Sequence, residues 1–327
     1  MSASSLVVLG QILGLGFASG LNLYATVALL GIASRLALIP PLPVGLRGLE
    51  SGIVILSAAA LFLIELVVDK LEPVEWLWDV LHTLIRPVAA ALLVYGALAT
   101  HGLPVQLSGA LAGGLVALAV HGSKAGLRVM LRASGASRSC WVASGVEDLL
   151  ALLVAFAAVS HPSTALLVVG SALLLVALVG RRLWRASLLG LRALQARVAG
   201  FFGRTGWRGP GRLPAGLRRQ IPDPPMGSAA PRAARATAAG LPGVAPWRNG
   251  WLVVSGTAPL FVYRTGLRAR RVELPRAQGG SVRRAAWADA LTVESEQGAY
   301  TLFLLKDGPS AEVVLEGLLR PATLSAA

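Results

Sequence analysis

Long apolar runs dominate the first two hundred residues, and the remainder alternates short apolar stretches with arginine, proline and glycine. A helix that crosses a bilayer needs about 20 mainly apolar residues, with a usual range of about 17–25. The runs predict six such spans, at residues 5–33, 51–69, 84–100, 104–121, 144–160 and 163–180. The first lacks a basic leader segment and its apolar run is too long for a signal peptide, so it reads as a retained span. It also exceeds one straight crossing, and Gly14, Gly16 and Gly20 punctuate it. A tilt, or a break near Gly20, would absorb the excess.

Past residue 248 the pattern becomes that of short strands. Residues 251–254, 260–263, 269–274, 282–287, 291–294 and 300–305 read as strands separated by turn residues, and 310–319, after Pro309, as one closing amphipathic helix. Six or seven strands followed by a helix resemble, in architecture, a pleckstrin-homology-like barrel. Between the two patterns, residues 201–248 hold eight arginines, a single acid (Asp223) and many Pro, Gly and Ala. That composition reads as a disordered tether. The predicted fold is therefore an all-α polytopic membrane bundle of about six transmembrane helices (1–200), a basic tether (201–248) and a small β-barrel with a closing helix (249–322).

Composition agrees. The 327 residues are 55% hydrophobic and 14% charged, with a mean hydropathy of +0.67. Soluble domains average about 25% charged residues, which excludes an ordinary soluble enzyme. The net charge of +14 divides into +5 for residues 1–200 and +9 for 201–327. With the N-terminus inside, the inner connections carry nine basic residues and the outer ones only Arg35 and Arg47. The positive-inside rule then places both the N-terminus and the C-terminal region in the cytoplasm, with the plasma membrane as the host.

The chemistry of a hydrolase or a metal site is not written in the chain. Cys140 is the single cysteine, and His82, His101, His121 and His161 are scattered without ligand spacing. Gly10/Gly14, Gly16/Gly20 and Gly109/Gly113 are small-residue ladders for close helix packing. No cofactor, metal or enzymatic activity is expected.

Polar residues within the apolar half are the candidate site. Charge at the bilayer centre costs about 2.5–3.5 kcal/mol on insertion scales, so such groups mark function or pairing. Asp69, Lys70, Arg86, Lys124, Arg128, Glu147 and Asp148 fall at the cytoplasmic ends of the predicted spans. Singly, each reads as a headgroup anchor, a snorkelling side chain or a member of an ion pair; together they make a ring of both signs around one mouth of a bundle. Glu65 lies one helical turn deeper than Asp69 and on the same face, with Lys124 or Arg128 as its expected partner. Ser19, Asn22, Tyr24 and Thr26 flank the expected break at Gly20, where unwound backbone in transporters coordinates ions or headgroups. Residues 72–86, with Trp76 and Trp78, read as an interfacial elbow.

Residues 17–26 can be laid on 119–128, and 86–97 on 161–172, with Glu65 and Glu147 between the parts. An inverted repeat and chance similarity in a Leu/Ala/Val/Gly-rich sequence both account for this.

The segments Ser19-Gly-Leu-Asn-Leu-Tyr-Ala-Thr, Glu65-Leu-Val-Val-Asp-Lys, Trp78-Asp-Val-Leu-His-Thr-Leu-Ile-Arg-Pro, His121-Gly-Ser-Lys-Ala-Gly-Leu-Arg and Glu147-Asp resemble domain of unknown function 4126 over about residues 10–180. The resemblance implies a multi-pass, mostly bacterial membrane protein and supplies no catalytic residues. Two functions fit. One is a transporter of a small solute, ion or lipid, with a polar site around Asn22, Tyr24 and Glu65. The other is a non-transporting scaffold whose tether and β domain bind anionic lipid headgroups at the cytoplasmic face or a protein partner. Besides the bilayer itself, a homo-oligomer is an expected partner, and nucleic acid is not.

Overall fold

The computed structural model describes residues 3–133, 137–202, 206–223, 230–255, 258–285 and 288–319. The end of the expected strand at Ala286 and Trp287, and the side chains of Trp76 and Arg138, lie outside the described residues. The chain forms two compact units, Met1–Ser187 and Leu188–Ala327.

The first unit is helical. Helix α1 (Ala3–Leu21) is followed after one residue by α2 (Leu23–Arg35), then by a 3₁₀ turn (Val44–Glu50) and α3 (Gly52–Val68). Helices α4 (Glu72–Ala97), α5 (Leu103–Ala133), α6 (Ser137–Ser160) and α7 (Pro162–Phe201) complete the set, α7 continuing into the second unit's residues. Four of these, α4 to α7, are long and apolar enough to cross a membrane, and the bent pair of the 3₁₀ turn and α3 raises the count to five. The sequence's first span is thus two shorter apolar helices. Its predicted elbow and third span are in turn one continuous helix, α4, with Pro87 inside it.

Side chains are distributed as a bilayer requires. Large apolar groups such as Ile53, Leu56, Leu167 and Leu178 are exposed, whereas the interior is lined by Ala151, Ala155, Ala158 and Ala165. Without water to drive association, helices in lipid gain by close approach of small residues. The glycine ladders show this directly. A Cβ on Gly10 would stand 2.0 Å from the Pro162 carbonyl oxygen, and one on Gly16 would stand 2.7 Å from that of Gly113. Helix α1 accordingly packs against α4, α5 and α6. The proposed repeat is not mirrored in this geometry, because 17–26 holds the α1/α2 break and 119–128 lies inside unbroken α5.

In the second unit, β1 (Arg232–Ala239), β2 (Arg248–Val254), β3 (Leu260–Thr265), β4 (Arg268–Glu273), β5 (Ala277–Arg283), β6 (Ala288–Ser295) and β7 (Tyr300–Leu305) form one antiparallel sheet. The strand order is β4-β3-β2-β1-β7-β6-β5, and among the described residues β4 and β5 do not pair, so the sheet is open where a closed barrel was expected. Helix α8 (Ala311–Leu319) packs on β5 and β6, burying Val314 and Leu318 with Phe261, Tyr300 and Leu302.

The expected disordered tether contains β1, the central strand. Its Arg-Ala-Ala-Arg-Ala-Thr-Ala-Ala sequence looks like low complexity, yet small side chains suit a strand covered on both faces, and Ala233, Ala234, Ala236 and Ala238 are all buried. Strand β5 begins at Ala277, earlier than expected, because Gln278-Gly279-Gly280 reads as a turn but pairs with β6 through a bulge. Asp307 is buried between the guanidinium groups of Arg208 and Arg235, tying the segment before β1 to the end of β7.

Close helix approach makes a testable demand. A Cβ on Gly126 would stand 2.0 Å from the Leu183 carbonyl oxygen, whereas one on Gly170 would meet nothing within 4 Å. Gly126→Ala should destabilise the detergent-solubilised protein by about 1–3 kcal/mol. Gly170→Ala should be neutral or stabilising by up to about 1 kcal/mol. Thermal unfolding reads both, and equal effects would refute the packing assignment.

Candidate functional site

The site begins with the single residue between α1 and α2. Asn22 is extended (φ −147°, ψ 103°), so the α1 ladder stops at Leu21 and a new helix starts at Leu23. Its side-chain oxygen accepts from the Ala25 amide at 2.9 Å, capping α2. Its amide nitrogen donates to Asp148 at 2.9 Å.

The last carbonyls of α1 would otherwise be unsatisfied in an apolar medium. Arg86 reaches them from α4, its Nη1 donating to the Gly20 and Leu21 carbonyls at 2.7 and 2.6 Å. Lys124 of α5 donates to the same Leu21 carbonyl at 2.9 Å. Two cations therefore sit at the C-terminal end of α1, where the helix dipole favours positive charge.

Carboxylates compensate them. Glu65 pairs with Arg86 and lies 3.5 Å from the Lys124 ammonium. One turn along α3, Asp69 takes a two-pronged contact from Arg128 at 2.5 and 3.0 Å and a hydrogen bond from Ser144 at 2.8 Å. Glu147 bridges Lys124 and Arg128 at 3.5 and 3.3 Å, and Asp79 stands 3.9 Å from Arg128. Arg86 is 0% and Glu65 1% exposed, so this is an interior network. That corrects the reading of these groups as headgroup anchors or snorkelling chains. Arg86 lies mid-way along α4 because the elbow and the span are one helix, and Asp69, Lys124, Arg128 and Asp148 are buried with it.

Of the residues the sequence singles out, Asn22, Glu65, Asp69, Arg86, Lys124, Arg128, Glu147 and Asp148 come together. Lys124 is a partner of Glu65 as expected, but the closest is Arg86, and Arg128 belongs to Asp69. Tyr24 stands at the edge, its hydroxyl 2.9 Å from His82 Nε2. Lys70 is not in the network: it is exposed, with its ammonium 6.0 Å from the Trp141 ring centre.

Sequence reasoning missed Asp79, His82, His121 and Ser144. Asp79, His82 and Arg86 are spaced three and four apart, one face of α4, and that spacing was the available signal. His82 Nδ1 lies 2.8 Å from the Trp78 carbonyl, which can only accept, so Nδ1 carries the proton and Nε2 accepts from Tyr24. Trp78 stacks on the same ring at 4.5 Å. His121 Nε2 meets the Asp79 carbonyl at 2.9 Å.

Among the described residues the network holds five carboxylates (Glu65, Asp69, Asp79, Glu147, Asp148) and three basic side chains (Arg86, Lys124, Arg128). Glu65 Oε2, Arg86 Nε, His121 Nδ1 and Ser19 Oγ are buried and make no hydrogen bond among the described residues. Among the described residues no group of three or more His, Cys, Asp or Glu side chains is arranged to hold a metal ion.

Breaking one partner of a buried pair leaves an uncompensated charge, typically worth about 3–5 kcal/mol. Arg86→Met should cost that much in thermal unfolding, and adding Glu65→Leu should restore part of it. A double variant as unstable as the sum of the singles would show the two groups to be uncoupled.

A family model described as "Domain of unknown function (DUF4126)" matches residues 9–182, which contain the whole network. No curated protein and no solved structure matches the chain.

Proposed function

Given that this chain belongs to the DUF4126 family, whose activity is unassigned, we propose from the site itself that it is a proton-coupled, transporter-like membrane protein for a small solute, ion or lipid. The observation that carries the reading is a helix broken at Asn22 whose freed carbonyls are held by Arg86 and Lys124 inside a network where, among the described residues, five carboxylates meet Arg86, Lys124 and Arg128. Buried carboxylates without enough cations must take up protons or a cation.

Glu65 is the proposed coupling group. Protonating it removes the charge that holds Arg86, and Arg86 is the group that fixes the end of α1. Proton binding would thereby be linked to the α1/α2 joint, and a joint that moves is what alternating access needs. Asn22 and Asp148 hold the opposite side of the same joint.

We further read α1 with α2 as one broken crossing and α3 to α7 as five more, which makes six. With Arg86, Lys124 and Arg128 set aside as members of the buried network, a six-to-two distribution of basic residues still supports cytoplasmic N- and C-termini in a bacterial plasma membrane. The meander order with its closing helix supports a pleckstrin-homology-like reading of the second unit. No enzymatic role is proposed.

The test is flux. Purified protein in liposomes loaded with a pH-sensitive dye, under an imposed potential and against a panel of solutes and labelled lipids, should move protons. Glu65→Gln and Asn22→Ala should abolish movement while the protein still folds and inserts. Absence of flux under every condition would transfer the function to the scaffold, for which deleting residues 201–327 should abolish function and Glu65→Gln should matter little.

A further inference from the structure

The hairpin of β3 and β4 carries groups that the second unit's own packing does not use. Thr265 pairs with Arg268 across the two-residue loop Gly266-Leu267. Gly266 has φ +61° and Leu267 has no positive φ, the pattern of a turn that needs glycine first. That turn places Leu267 at the tip with its side chain wholly in the open, 101% exposed.

Arginines surround the leucine. Arg264, Arg268, Arg270 and Arg271 are all exposed. The chain has no acidic residue anywhere from 224 to 272. Among the described residues no ion pair includes Arg264, Arg268 or Arg270, and Arg271 gives one hydrogen bond to the Gln220 carbonyl at 3.2 Å. Four basic groups elsewhere on the unit have carboxylate partners: Arg284 pairs with Glu312, Lys306 with Asp289, and Arg208 and Arg235 with Asp307. Arg264, Arg268 and Arg270 bring three charges without a carboxylate partner among the described residues onto one hairpin.

Strand β4 is a sheet edge, and charge on an edge discourages strand-to-strand aggregation. Edge protection accounts for arginines on β4, but not for Arg264 on the inner strand or for a leucine at the apex. A leucine flanked by arginines matches a surface that is anionic outside and apolar beneath. Because the same chain crosses a bilayer, membrane lipid is the anionic surface it always meets.

We propose that the β3–β4 hairpin docks on anionic phospholipid bilayer, with Leu267 entering the boundary between headgroups and acyl chains and Arg264, Arg268 and Arg270 binding lipid phosphates. The proposal uses no residue of the buried network, so it stands or falls separately from transport.

The experiment uses the full chain in liposomes, with an environment-sensitive fluorophore at Thr265→Cys in a Cys140→Ala background. Liposomes of phosphatidylcholine alone are compared with liposomes that also contain phosphatidylserine. Expected in phosphatidylserine are a blue shift and quenching by nitroxide-labelled lipid, both reduced by Leu267→Ser. Each Arg→Gln change at 264, 268 or 270 should lower the docked-to-free ratio about fivefold, and added salt should act in the same direction. These variants alter only exposed positions, and their thermal unfolding should match that of the parent. Identical emission in the two lipids, or quenching indifferent to both Leu267→Ser and the arginine changes, would overturn the proposal. So would a probe that ignores lipid but shifts when single-stranded oligonucleotide or an acidic peptide is added.

Discussion

Ending a helix inside an apolar interior exposes carbonyl groups that no water is available to satisfy, and here Arg86 is the group that answers them. Its guanidinium spans from the Gly20 and Leu21 carbonyls to Glu65, so one side chain from α4 ties together the end of α1 and the face of α3. A buried cation demands a buried anion. Lys124, brought to the same carbonyl, demands more, and Glu147 answers it together with Arg128. Much of the polar interior of α3, α4, α5 and α6 follows from breaking the chain at Asn22.

Around that polar centre many leucines of the membrane unit face outward, and alanine and glycine stand at several of the closest contacts between helices. That arrangement lets α1 lie close enough to α4 for a side chain to reach its backbone.

Much of this was legible in the chain, and the misses have physical causes. The apolar runs located the helices, and Gly20 with Asn22 located the break. The four-residue spacing of Glu65 and Asp69 identified one face, and Lys124 was among the partners expected for Glu65. What the runs could not show was depth. Arg86 looks like a span end when 72–86 is set aside as an interfacial elbow, because Trp78, Asp79 and His82 are polar enough to suggest water; instead His82 bonds Tyr24 and the Trp78 carbonyl, Asp79 lies beside Arg128, and the Trp78 ring stacks on His82. Lys70 carries the same sequence signal as its neighbours and faces outward, since its place after the end of α3 turns it away from Asp69. In the second unit six strands were readable from their aromatic and β-branched residues. Strand β1 was not, because an alanine-rich strand buried on both sides has no alternation to read.

That concealed strand has a bearing on how the second unit is made. In the hydrogen-bonded order of the described strands, β1 joins the meander β2–β4 to the meander β5–β7, and its partner on one side is β7, with Ala236 opposite Leu304. The first strand to leave the ribosome must therefore wait for the last before its free edge is covered. Such distant pairing slows folding and prolongs exposure of an unpaired edge. Alanine and arginine, weak strand formers with little apolar surface, leave that waiting edge a poor template for aggregation, so the composition that hides β1 from a reader also shields it during synthesis.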